Sequence, residues 1–355
     1  MKNVELSGRN GVNHRVIYLD LIRVIGCLMV VLTHVTAKMM DFPVKSAIWP
    51  LANILNGCTR AAVPLFLMIS GALFLNPNKN ITIQKIIKKY VPKLGVTLIL
   101  WNCIYALIEW AITRNLAITL HTLILGAFHL WFLYVTIGCY LVAPLLRPIV
   151  TNMKLMWWAL GLGGLFTVLP VTIQEFLRPD NVLLSLIHAF QVNLMSGFVF
   201  YFVLGYALTQ LSINTAKMWL AGVGAFIGTV VIIIGTESQS IVAGHLNQAF
   251  QANVNLWIML QASGLFLIIR GLKLTKLSKT LKLISELSLP IYLVHPIFLG
   301  AILKLHLLKP DALHLLVAYV LVFMGATVFA WCYQGILRWL RSYFRPTVTR
   351  QYSQD

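Results

Sequence analysis

Mostly uncharged, apolar stretches of about 20 residues recur along this chain from Ile17 onward, and no soluble core can absorb so many of them. As a helix, each is long enough to cross the ~30 Å hydrocarbon layer of a bilayer. Candidate spans fall near residues 17–37, 56–76, 92–113, 129–149, 155–174, 190–210, 217–235, 254–271, 286–305 and 313–335. The longest connections, near 37–55, 174–189 and 236–253, are too short for a separate folded domain. The expected fold is all-α, a polytopic membrane helix bundle of about ten transmembrane helices. A tail over 1–16 precedes a single membrane domain over 17–335, and a basic tail over 336–355 follows it.

Direction comes from the placement of Lys and Arg, which accumulate on the cytoplasmic side of membrane proteins. With the N-terminus inside, 20 of the 28 fall in cytoplasmic segments, at the N-terminus and around 79–93, 147–154, 217, 270–282 and 338–350. Seven fall outside: Lys38, Lys45, Arg60, Arg114, Arg178, Lys304 and Lys309. Arg23 lies within the first span. An even number of crossings returns the C-terminus to the cytoplasm, so both termini are expected inside.

The same placement explains the net charge of +18 without nucleic acid, because no basic stripe runs along a soluble element. With 59% hydrophobic and only 11% charged residues, lipid is the expected solvent. The five cysteines form no CxxC pair, and four lie inside apolar stretches, so no metal site is expected. No small-residue cleavage site follows the first apolar run, which marks it as a retained helix and not a signal peptide.

Ionisable groups inside spans are costly and point to function. The first span, YLDLIRVIGCLMVVLTH, holds Asp20, Arg23 and His34. The eleven residues from Arg23 to His34 make three helical turns plus about 20°, so these groups share one stripe and lie about 16 Å apart along the axis. Asp20 and Arg23 could simply be an ion pair anchoring a helix end, but His34 is apolar-flanked and well inside the span. A polar cavity lined by this helix explains all three. The second span places Arg60 at its outer end and Ser70-Gly71 in its inner half, where a small-residue packing notch is the alternative reading. Glu109 lies near the outer end of the third span. His129 and Trp131 open the fourth, Trp131 being equally suited to an interfacial anchor. Tyr292 and His295 stand one turn apart in the ninth.

Asp, then Arg, ten residues, then His in an N-terminal span resembles the signature of the membrane-bound acyltransferase 3 family. PLFLMISGALF is similar to that family's second-helix motif, and HLWFLYVTIGCYLVAPLL and SELSLPIYLVHPIF to its fourth and ninth helices. The likeness runs from about residue 17 to 335 and, within the family, is strongest to the WecH type, O-acetyltransferases of enterobacterial common antigen. The resemblance implies a multi-pass protein of the bacterial inner membrane. It would move an acetyl group from acetyl-CoA, as co-substrate and not a tightly bound cofactor, to a hydroxyl of a surface glycan or lipid-linked sugar. It further implies that Arg23 and His34 are the essential Arg and His; with only about 20 residues after the last span, the extracytoplasmic esterase-like domain of many relatives is not expected.

Acyl transfer from a thioester to an alcohol needs a base or a nucleophile and a stabilised oxyanion. His34 is the expected general base, with a transient acyl-histidine as the variant. Arg23 would grip an anionic part of CoA, assisted by Ser70, and Asp20 would hold Arg23. An extended pantetheine arm is of the same order as the Arg23–His34 separation, so a donor gripped inside could reach His34. Arg60, Glu109, His129, Trp131, Tyr292 and His295 are the candidates for the acceptor site. A transporter or flippase for a lipid-linked glycan would also line a cavity with polar groups, but no inverted repeat or matched pair of broken spans supports it.

Overall fold

The computed structural model describes residues 16–176, 182–190, 197–272 and 274–343, and among them all regular structure is helical. Helix α1 (Ile17–Met39) is unbroken, so the register of Asp20, Arg23 and His34 holds along its length. Next come α2 (Trp49–Cys58) and α3 (Ala62–Phe74), two halves of one span. The short α4 (Ile83–Lys85) continues through a π-helical turn, Ile86–Tyr90, into α5 (Val91–Thr113), against which α6 (Leu116–Leu125) folds back. Helix α7 (Trp131–Thr151) is followed by α8 (Met153–Gly163), joined through a second π-helical turn to α9 (Leu169–Ile173). The remainder comprises α10 (Val182–Ala189), α11 (Val199–Gln210), α12 (Thr215–Ala243), α13 (Leu256–Gly271), α14 (Lys279–Lys304) and α15 (Ala312–Tyr343).

Nine helical runs among the described residues are long and apolar enough to cross a membrane, and the chain is a multi-pass helical membrane protein. The tenth expected span, 190–210, is helical here over α11 alone, and residues 191–196 lie outside the described ones. The 12 residues of α11 extend only about 18 Å. Every residue from Phe200 to Leu208 is buried, so protein and not lipid surrounds this helix and bilayer thickness does not dictate its length. Tyr201 donates to the Asn253 carbonyl just before α13, and Arg270 at the end of α13 donates to the Leu208 and Leu211 carbonyls. Helix α11 therefore runs parallel to α13. Most of the two tails, residues 1–15 and 344–355, lies outside the described residues.

Helix α1 packs against α2, α3, α13, α14 and α15, and so stands at the centre of the bundle. Its neighbour α3 meets α11 through two glycines. A Cβ on Gly71 would come within 1.6 Å of the Phe202 carbonyl oxygen, and one on Gly205 within 2.2 Å of the Met68 Cα. These are backbone contacts that no side-chain rotation relieves. Gly71→Ala should therefore force α3 and α11 apart and cost about 1–3 kcal/mol, read as a lower thermal unfolding midpoint in detergent. An unchanged midpoint would show that the two helices separate freely.

Beyond the end of α9, Glu175 ties three elements together. Its carboxylate accepts from Asn255 Nδ2 (2.7 Å) and Trp257 Nε1 (2.8 Å), and its carbonyl accepts from Gln239 of α12 (2.7 Å). Burial raises its pKa from 4.5 to about 7, although both donors favour the charged form. Folding then favours the protonated acid: its contribution is complete below about 4.5 and is lost as pH rises toward about 7. Glu175→Gln should flatten the fall in unfolding midpoint between pH 5.5 and 8 by on the order of 2 °C. Parallel pH profiles for wild type and variant would remove Glu175 as the cause.

Candidate functional site

Three cavities follow α1 from one end of the bundle to beyond its middle. The inner one, about 670 Å³, is lined by Asp20, Arg23, Asn78, Lys79, Asn80, Lys85 and Tyr90 among others. Its loop is held by Arg147 of α7, which donates to the carbonyls of Phe74 (2.7 Å), Asn76 (3.1 Å) and Lys79 (2.9 Å). These acceptors include the end of α3, whose last carbonyls have no partner within the helix. Asp20, only 3% exposed, accepts from Arg23 Nη1 (2.8 Å) and from Ser285 of α14 (2.8 Å). Arg23 keeps part of its guanidinium open, so the expected ion pair is also a cation fixed at the wall of the cavity.

Arg23 also lines a middle cavity of about 200 Å³, with Ser70, Thr136, Tyr140, Ser288 and Tyr292 set among apolar side chains. In the Ser70-Gly71 pair the glycine is a packing notch and the serine lines the cavity.

The outer cavity, about 160 Å³, contains His34, Arg60, Thr33, Thr59, His129, Trp131, Asn253 and Tyr292. Its walls are shaped by prolines. Pro64 has no N–H to give to the Arg60 carbonyl four residues earlier, and its ring crowds that carbonyl, so the span breaks between α2 and α3. Arg60 is therefore not at the outer end of its span, as the sequence suggested; ten residues of α2 precede the break from which it projects. The Thr33 and Thr59 hydroxyls, 2.7 Å apart, set the break level with His34.

In α14, Pro296 likewise frees the Tyr292 carbonyl, which accepts from His295 Nδ1 (2.7 Å). The next carbonyl, Leu293, accepts from Tyr105 (2.7 Å) and His129 Nε2 (3.3 Å), and the Tyr292 hydroxyl donates to the His129 carbonyl. A carbonyl only accepts, so His295 carries its proton on Nδ1 and His129 on Nε2. The remaining nitrogens, His295 Nε2 and His129 Nδ1, are buried without a partner. The His34 ring lies 5.0 Å from that of His295, and the His129 ring 5.7 Å from it. Phe128 stands edge-on to His34 at 5.2 Å.

The structure thus brings His34, Arg60, His129, Trp131 and Tyr292 into one cavity, with His295 directly behind it. Trp131 lines this cavity, with its ring 5.1 Å from that of Phe198. Glu109 is not among the cavity residues: the buried face of α5 ends at Ala106, and Glu109 stands beyond it. Sequence reasoning missed Lys79, Tyr140, Thr59, Gln251 and Asn253. Only the prolines of VPLFLMISG and YLVHPIF offered a signal, by marking where the backbone opens. No curated protein and no solved structure matches the chain. The model of the acyltransferase 3 family, described as an acyltransferase domain, matches residues 16–334, which take in every residue of the three cavities, and the chain therefore belongs to that family of membrane acyltransferases.

Proposed function

We propose that this acyltransferase is an O-acetyltransferase of the bacterial cytoplasmic membrane, taking acetyl from acetyl-CoA at its inner face and delivering it to a glycan hydroxyl in the outer cavity. The observation that carries this reading is the file of cavities along α1. The inner and middle ones share Arg23, and the middle and outer ones share Val30, Val63, Phe132 and Tyr292. The inner chamber offers Arg23, Lys79 and Lys85 to phosphates, the middle one an apolar slot to a pantetheine arm, and the outer one an imidazole to the thioester. His34 takes the acceptor's hydroxyl proton as its oxygen bonds to the thioester carbon. The tetrahedral intermediate collapses by breaking the C–S bond, and the departing thiolate receives that proton from the imidazolium, leaving an acetyl ester and free CoA. The likeness to the WecH type makes enterobacterial common antigen the first acceptor to try. Mass spectrometry of surface glycans from cells with and without the gene tests the reading: a glycan 42 mass units lighter in cells without the gene is expected, and identical glycans would refute it.

A further inference from the structure

Three arginines inside this bundle have an evident structural employer. Arg23 pairs with Asp20, Arg147 gathers the carbonyls after α3, and Arg270 holds two carbonyls at the end of α11. Arg60 differs. Among the described residues no carboxylate lies within ion-pair distance of it, and its one protein partner is the neutral side-chain oxygen of Gln251. Its Nε has no acceptor, and neither has Nε2 of Gln251. The outer cavity onto which Arg60 opens contains no acidic side chain. A guanidinium inside a membrane bundle is costly to leave unpaired, and the unmet groups of Arg60 and Gln251 are both donors.

Resting on the acetyltransferase reading, we propose that Arg60, backed by Gln251, recognises a carboxylate or phosphate group on the acceptor, so that the substrate of the outer cavity is an anionic glycan. The planar fork of the guanidinium suits either anion, and holding it beside His34 would place a neighbouring hydroxyl against the base. The proline-induced break puts this cation level with His34, where it can orient the acceptor without touching the donor chamber at Arg23.

Full-length protein in native membranes, given radiolabelled acetyl-CoA and the membranes' own glycans, tests this by anion exchange of the labelled product. Label in the retained, acidic fraction is expected. Mild acid that cleaves lipid-linked phosphate then separates the sources: retention that persists means a sugar carboxylate, and retention that is lost means a phosphate. Label confined to the neutral fraction would overturn the inference while sparing the acetyltransferase reading, whereas no labelled glycan at all overturns both. In purified protein, Arg60→Leu should raise the KM for the acidic fraction by at least ~30-fold, the lower end for an unpaired buried charge, with part of the loss recovered in Arg60→Lys. Acetyl-CoA affinity should stay as in wild type. A fall in kcat at unchanged acceptor KM would instead assign Arg60 to the thioester oxygen and sink the proposal.

Discussion

Replacing His34 by alanine should lower acetyl transfer by about 10²–10⁴-fold, the usual worth of a positioned general base, while leaving acetyl-CoA binding intact. The expectation rests on separation. His34 lies three turns along α1 from Arg23, in a different cavity, and none of the residues lining the inner chamber comes from the histidine cluster. The imidazole is only partly covered and opens on a space with room for a hydroxyl. Its neighbours His129 and His295 each keep one ring nitrogen buried without a partner. A variant that still transfers acetyl at the wild-type rate would end the assignment. Acid quenching during a single turnover separates the two chemical variants. Base catalysis leaves no label on the protein, whereas an acyl-histidine leaves label on wild type and none on His34→Ala.

Arg23→Ala should weaken acetyl-CoA binding by at least ~10-fold, a modest figure because part of the guanidinium is solvated. The substitution also strands Asp20, which is buried and would lose its cation, so some loss of stability will accompany the loss of affinity. Asp20→Asn combined with Arg23→Ala removes that stranded charge and isolates the binding effect. The phosphates can be tested directly with an acetylated pantetheine that has none: wild type and variant should bind it equally. Equal loss for both thioesters would return Arg23 to a purely structural ion pair.

How much of this was visible in the residues depends on distance along the chain. The stripe of Asp20, Arg23 and His34 was legible because all three sit on one uninterrupted helix whose period is fixed. Ser285 holding Asp20, or Arg147 gathering carbonyls some 70 residues away, depends on which helices become neighbours, and no local pattern encodes that. Arg60 was misplaced for a subtler reason. Hydropathy starts the second span near residue 56, but the helix begins at Trp49, whose segment mixes polar Asn53 and Asn56 with apolar residues. Those asparagines are buried by bonds to Ile233 and Thr33, so they are compatible with a span while lowering its hydropathy. Glu109 was misjudged because hydropathy says how deep a residue lies and nothing about which way its helix face turns.

The wall between the middle and outer cavities has a consequence for the cell that is separate from catalysis. A passage open to water from one face of a membrane to the other would let protons and salt run down their gradients. Val30, Val63 and Phe132 close that passage with hydrocarbon, and Tyr292, the one polar member of the wall, has its hydroxyl committed to the His129 carbonyl. A constriction of this kind resists wetting and so repels hydrated ions, whereas the slender, largely uncharged thioester arm of the proposed donor would thread it. On the proposed route, acetyl would thus cross the bundle without opening a leak for ions.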